Sequence, residues 1–384
     1  MAFISAFQAE DRGSIPLTRS LNMKYLFFVQ TDGRGHMTQA ITLKEKLEKN
    51  GHTVIGLVVG SDKHKKLPVF FTEQFSCPFF DLESPKFLVK KNSKGIKIIA
   101  SFFYTIYRLP IYLTSIWQVK KIVNNLQPDA LINFYEPLAG NYYRFFGRHR
   151  PMFCLGHQFF INHPSFKDKE INMMDRLFFQ FYNYLTAGSH SIKIALSFTL
   201  EPDLKKKNLF VCPPLIRTVI KNGQPRNNGF ILAYILMAGY SEEIITWSKQ
   251  HPNYQVEAFW DKSEQAETHF GKNLTFHYLN GQKFIECLTN CSAYVSTGGF
   301  DSIAEAAYLQ KNILMIPTKN HFEQKSNAAD AKRAGIAISA DYFNISLITG
   351  QQQKTHSLEA LRRFKEWVDN YDDKIINILE NKHI

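Results

Sequence analysis

The densest set of residues capable of chemistry is Thr297-Gly298-Gly299-Phe300-Asp301-Ser302-Ile303-Ala304-Glu305, directly after the apolar run Ala293–Ser296. Paired glycines at a strand-to-helix turn bare backbone N–H groups at the positive end of the helix dipole, which suits a diphosphate. Ser302 and Glu305 also admit a plainer reading. Ser-x-x-Glu ahead of an apolar run is a capping box, in which both side chains only satisfy the helix end. A second polar loop weighs against it: His321-Phe322-Glu323-Gln324-Lys325-Ser326-Asn327 follows the next apolar run and again opens a helix.

The amino-terminal half offers a second set. The first apolar run ends in Thr31-Asp32-Gly33-Arg34-Gly35-His36, where Gly33 and Gly35 let the backbone turn sharply beside a ligand. Thr38 stands where a dinucleotide fingerprint needs its third glycine, and Gly60-Ser61 follow the second strand where a ribose-binding acid belongs, so NAD is disfavoured. At a helix N-terminus the cationic form of His36 is disfavoured, which suits a neutral base. Glu136 closes the run Ala130–Tyr135, and Gly156-His157-Gln158 closes Met152–Leu155. His36 and Glu136 are the catalytic candidates; Gly33, Gly35, His157 and Gln158 are candidates for an active-site or acceptor loop.

These loops need strand ends to hold them. Lys24–Gln30 reads as a buried strand, Met37–Lys49 as a helix capped by Gly51, and Thr53–Val59 as a second strand. A long helical region is expected to about Asn125, then strands at Ala130–Tyr135, Met152–Leu155 and Ala195–Phe198. Cys212-Pro213-Pro214 and the turn-rich stretch 221–229 break the pattern. The alternation restarts with strands near Phe230–Ile235, Gln255–Phe259, Leu274–Phe276, Ala293–Ser296 and Ile313–Ile316. Between them lie helices at Ser241–Gln250, Lys283–Asn290 and Ser302–Leu309; Gln324–Ala334 and a final helix at Ser357–Leu379 follow. This predicts an α/β chain of two doubly wound, mostly parallel domains facing across a cleft. The expected boundaries are 23–212, a linker 213–228, 229–356, and a C-terminal helix within 357–384 able to pack back on the first domain. Residues 1–22 carry neither a strand or helix period nor a signal peptide pattern, so Met23 is the expected natural start.

Composition narrows the partners. In 384 residues, 46 Lys and Arg against 34 Asp and Glu give a net charge of +12, which favours an anionic partner. Five scattered cysteines fit a reducing compartment and provide no zinc set. The chain carries no recognition-helix, zinc-finger or RNP signature, which sets nucleic acid aside.

The stretch from Phe276 to Gly335 resembles the donor-binding region of GT-B glycosyltransferases of the glucuronosyltransferase-like and lipid-linked N-acetylglucosaminyltransferase families. Gly33-Arg34-Gly35-His36 is similar to their glycine-rich first loop, and Gly156-His157-Gln158 to a His-Glu-Gln loop lacking its acid. Leu236-Met237-Ala238-Gly239-Tyr240 departs from their Gly-Gly-Ser phosphate loop. The resemblance implies a GT-B fold and a UDP-sugar donor. Thr297, Gly298, Gly299 and Ser302 would sit at the diphosphate, Glu305 at the ribose, Glu323 and Gln324 at the sugar, and Tyr278 and Leu279 at the base. It also implies inverting transfer with no metal or resident cofactor. A 2-epimerase of the same fold and a silent glycan- or lipid-binding scaffold remain alternatives.

Between Lys86 and Lys121 lysines crowd beside aromatics: Lys90, Lys91, Lys94 and Lys97 precede Phe102 and Phe103. Such a stretch is either a core helix entered from a basic loop or an interfacial patch. In the second case each lysine near an anionic membrane contributes about 1 kcal/mol. The patch would give a cytoplasmic protein held peripherally at the inner membrane face, with a glycan or lipid-linked acceptor.

Overall fold

The computed structural model describes residues 22–31, 33–61, 67–85, 98–147, 149–166, 173–234, 238–260, 265–318, 321–349 and 358–381. Lys90, Lys91, Lys94 and Lys97 lie outside these, as does nearly all of the stretch ahead of Met23. The first sheet comprises β1 (Lys24–Gln30), β2 (Thr53–Ser61), β3 (Phe79–Glu83), β4 (Ala130–Phe134), β5 (Met152–Gly156), β6 (Ile192–Leu196) and β7 (Leu209–Cys212). All neighbours are parallel in the order β3-β2-β1-β4-β5-β6-β7. Tyr25 through Val29 of β1 are fully buried, as a central strand covered on both faces requires. The order reverses between β1 and β4, so the loops holding His36 and Glu136 flank the crevice where such sheets bind ligands.

The second sheet repeats the plan with β8 (Phe230–Tyr234), β9 (Gln255–Trp260), β10 (Glu267–Phe270), β11 (Leu274–Tyr278), β12 (Ala293–Ser296), β13 (Asn312–Met315) and β14 (Ile338–Ser339). Their order is β10-β11-β9-β8-β12-β13-β14, and only the edge strand β10 runs antiparallel. β12, next to the reversal, delivers the Thr297-Gly298-Gly299 turn.

The sequence expectation needs several corrections. The helical region expected up to Asn125 contains β3, and its helical part is two helices, Ile98–Tyr107 and Leu109–Leu126, with Pro110 in the first turn of the second. Proline fits there because first-turn N–H groups have no partner within the helix. β7 and β10, four residues each, are too short to show a period. The single terminal helix is two, Leu358–Asn370 and Lys374–Glu380, separated by a turn. The linker region holds the short helix Thr218–Lys221.

The carboxyl end of the chain crosses between domains. Leu361, Phe364 and Val368 pack into the apolar core, and Trp367 donates its indole N–H to the Ser197 carbonyl of the first domain at 3.0 Å. His52 Nε2 lies 2.9 Å from Glu380 Oε1, and Lys374 reaches Asp203 at 2.9 Å.

Candidate active site

The turn after β12 is built for close approach. Gly298 has φ +99°, and a Cβ there would stand 3.1 Å from the Gln324 carbonyl. Asn327 donates to the Gly298 carbonyl at 2.8 Å, so the two polar loops brace one another. The helix Phe300–Tyr308 takes Gly299 as its N-cap. Ser302 is therefore its third residue rather than its cap, and its hydroxyl donates back to the Gly299 carbonyl at 3.4 Å. This corrects the capping-box alternative: the tight turn brings the helix start two residues forward of Ser302.

Glu305 is nearly inaccessible and is gripped by Arg217, whose Nε and Nη2 donate to its two oxygens at 2.5 and 2.6 Å. Arg217 precedes the short linker helix and was not singled out in the sequence. No local pattern marks it, because its partner lies 88 residues away. Glu323 lies in the first turn of the helix Phe322–Ala334, capped by His321, and the Gln324 side chain accepts from the Thr318 N–H at 2.9 Å. Tyr278 is exposed at the end of β11, and Leu279 packs against the core. Of the loop 236–240, residues 236 and 237 lie outside the described ones, and Ala238 opens a helix.

In the first domain His36 is the third residue of the helix Arg34–Lys49. Its ring stacks on Tyr135 with centroids 5.7 Å apart. Tyr135 has φ +62°, a conformation that bulky residues rarely adopt and that costs free energy unless its surroundings hold it. Here its hydroxyl bonds Asn183 at 2.5 Å. His36 Nδ1 lies 3.4 Å from Gln39 Oε1, and Gln158 Nε2 lies 3.4 Å from His36 Nε2.

Two amides then span the cleft. Gln39 Nε2 donates to Asp301 Oδ1 at 2.9 Å, and Gln158 Nε2 to Glu323 Oε1 at 3.0 Å. Gly35 leaves the room this needs, since a Cβ there would lie 2.6 Å from Asp301 Oδ2. Burial, reinforced by the charge on Glu305 and opposed by the bond from Gln39, pushes the Asp301 carboxyl up to about 7.

Glu136 and His157 are engaged elsewhere. Glu136 is 1% exposed and caps the helix Pro137–Phe145, accepting from the Leu138 N–H at 3.0 Å and from the Ser84 hydroxyl. His157 bonds the Leu196 carbonyl at 2.8 Å and stacks on Phe300 of the other domain at 4.3 Å. Burial, opposed by Asp330, lowers its pKa. Gly33 is the exposed N-cap of the first helix. Among the described residues no group of three His, Cys, Asp or Glu is placed to hold a metal ion.

Residues 23–350 match the family described as glycosyl transferase family 1. The chain belongs to that family. This glycosyltransferase shares its fold with solved GT-B enzymes. The glycosyltransferase of kitacinnamycin is 15% identical, with 93% of this chain and 98% of that one covered, at a TM-score of 0.60. CalG4, the calicheamicin glycosyltransferase, is also 15% identical, with 95% and 100% covered, at 0.59. UGT2 of Phytolacca americana, solved with UDP-2-fluoroglucose and pterostilbene, is 12% identical, with 94% and 99% covered, at 0.61. No curated protein sequence matches this glycosyltransferase.

Proposed function

We propose that this glycosyltransferase moves a sugar, with inversion and without a metal, from a UDP-sugar to a hydroxyl acceptor that is lipid-linked at an anionic membrane surface. His36 takes the acceptor proton on Nε2, and the oxygen attacks the anomeric carbon. The bond to the diphosphate breaks with its electron pair on UDP, which the Gly298-Gly299 turn and the helix dipole stabilise. Glu323 and Gln324 would hold the sugar, Glu305 the ribose, and Tyr278 and Leu279 the base.

The observation that carries this reading is the meeting of the His36 helix, through Gln39, and the Gln158 loop with the two polar loops of the second domain across one cleft. Calorimetric titration without metal, using UDP beside GDP and TDP, tests the donor. UDP-selective binding is expected, and binding of none of the three by folded protein would overturn the donor assignment. His36→Ala should retain UDP binding and lose UDP release from UDP-glucose or UDP-N-acetylglucosamine.

Support for the membrane surface comes from the helices beside the first sheet. Phe103 is 65% and Tyr107 80% exposed, with Ile106, Trp117, Met173 and Phe181 also uncovered. Of Phe102 only its place in the helix Ile98–Tyr107 is described. The helix Met173–Ala187 also reaches the cleft, where Phe179 packs on Phe322 at 4.6 Å. Lipid bound to that face would thus lie near the acceptor side. Among the described residues no helix is long and apolar enough to cross a membrane. Co-sedimentation with phosphatidylglycerol vesicles, absent with neutral ones, is the expected result.

A further inference from the structure

Taking His36 as the base of the proposed transfer, we infer that Gln39 and Asp301 are its positioning residues, forming a hydrogen-bond relay completed only when the two domains meet. The bond pattern is self-consistent. Gln158 Nε2 can only donate, so the His36 Nε2 it faces at 3.4 Å is the unprotonated acceptor. The proton of neutral His36 then sits on Nδ1, which donates to Gln39 Oε1 at 3.4 Å. The same Gln39 amide donates from Nε2 to Asp301 Oδ1 at 2.9 Å. Reversing the Gln39 amide would set an N–H against Nδ1–H and an oxygen against the carboxylate, so both neighbours fix its orientation.

A base needs this tautomer, because only a lone pair on Nε2, the nitrogen facing Gln158, can take the acceptor proton. The amide carries no charge, but Asp301 in its ionised form, accepting from the amide N–H, polarises it and makes its oxygen a stronger acceptor. Gln39 is 3% exposed, so this occurs in a low-dielectric setting where such coupling is strong. Gln39 is one helical turn from His36, and Asp301 lies on the helix that opens at the donor turn. The basicity of His36 is thereby tied to the position of the donor-binding domain. An acceptor hydroxyl arriving at Nε2 would displace Gln158 and leave the Nδ1 side in place.

Glu305, Arg217 and Glu323 face Asp301, and Glu323 together with the Tyr182 phenol faces Tyr135 beneath the imidazole. Glu305 is paired with Arg217, and Glu323 accepts from Gln158. The relay therefore predicts that changes at Gln39 move the His36 titration in opposite directions according to the acceptor supplied.

The test is nuclear magnetic resonance of the full chain with isotopically labelled histidine nitrogens, the His36 signal being assigned by its loss in His36→Ala. Neutral wild-type His36 should be the Nδ1–H tautomer. Gln39→Met removes the acceptor and should lower the His36 midpoint by about half a pH unit or more, with mixed tautomers. Gln39→Glu places a carboxylate directly on Nδ1 and should raise the midpoint by a similar amount. Asp301→Asn should lower it less, with the tautomer kept. An Nε2–H tautomer in the wild type, or an unmoved midpoint in both Gln39 variants with native thermal melts, overturns the relay. Failure of the base assignment shows separately, as UDP release retained in His36→Ala.

Discussion

At the residue scale, the site is governed by carboxylates taken out of water, each managed differently. Glu305 is held by the guanidinium of Arg217. Replacing Arg217 with Ala leaves that carboxylate buried and unpaired, which should cost about 3 kcal/mol of stability in urea titrations. Arg217→Lys should recover only part of this, since an ammonium cannot reproduce the bidentate fork. Among the described residues no cation contacts Asp301 directly; burial, Glu305 and Glu323 raise its pKa against the bond from Gln39 and the charge on Arg217. Its folded-state pKa, about 7, exceeds the unfolded value, so the folded chain binds more protons between about pH 4 and 7. Stability from this group is therefore lost as pH rises through that window. Asp301→Asn still accepts from Gln39 without the charge. Its stability relative to wild type should climb from pH 4 to 7 and then level off, and a flat difference would contradict the assignment.

At the scale of elements, two strand-to-helix turns do most of the placing. Gly298 combines a positive φ with a carbonyl 3.1 Å from where a Cβ would sit. Gly298→Ala should cost about 1–3 kcal/mol and weaken UDP binding by displacing the Gln324 backbone. The helices Ile98–Tyr107 and Leu109–Leu126 behave otherwise. Their uncovered aromatics contribute little to the fold, so serine at Phe103, Tyr107 and Trp117 together should abolish vesicle binding while leaving the thermal midpoint nearly unchanged. A large drop in that midpoint would mean the side chains are buried against protein instead.

At the scale of the whole molecule, the domains are coupled by more than the chain connection. Arg333 of the second domain reaches Glu201 at 2.8 Å and the Thr199 hydroxyl at 2.6 Å. Phe300 stacks between His157 and Phe198. The helix Lys374–Glu380 buries Ile375, Ile376, Ile378 and Leu379. Deleting residues 374–384 should cost at least about 6 kcal/mol by apolar burial, close to the whole stability of a typical domain. Soluble yield and circular dichroism of the truncated chain check this, with loss of native structure the expected outcome.

The sequence contained the parts of the site that depend on neighbours in the chain. The Gly298-Gly299 turn, the Glu323-Gln324 loop and His36 at a helix start are local patterns, fixed by backbone geometry and the helix dipole within a few residues. The alternation of strands and helices likewise specified two parallel sheets, because each buried strand carries its own apolar run. Short edges such as β10 lacked the length to show a period. Pairings between distant parts of the chain had no local trace at all. Arg217 on Glu305, Gln39 on Asp301 and Gln158 on Glu323 join residues 88, 262 and 165 positions apart. Glu136 shows the same limit in reverse. A strand-end carboxylate looks available for chemistry until packing fills the space around it and the helix N-terminus behind it claims its oxygen. Sequence names which groups can react, and only the approach of distant surfaces settles which remain free to do so.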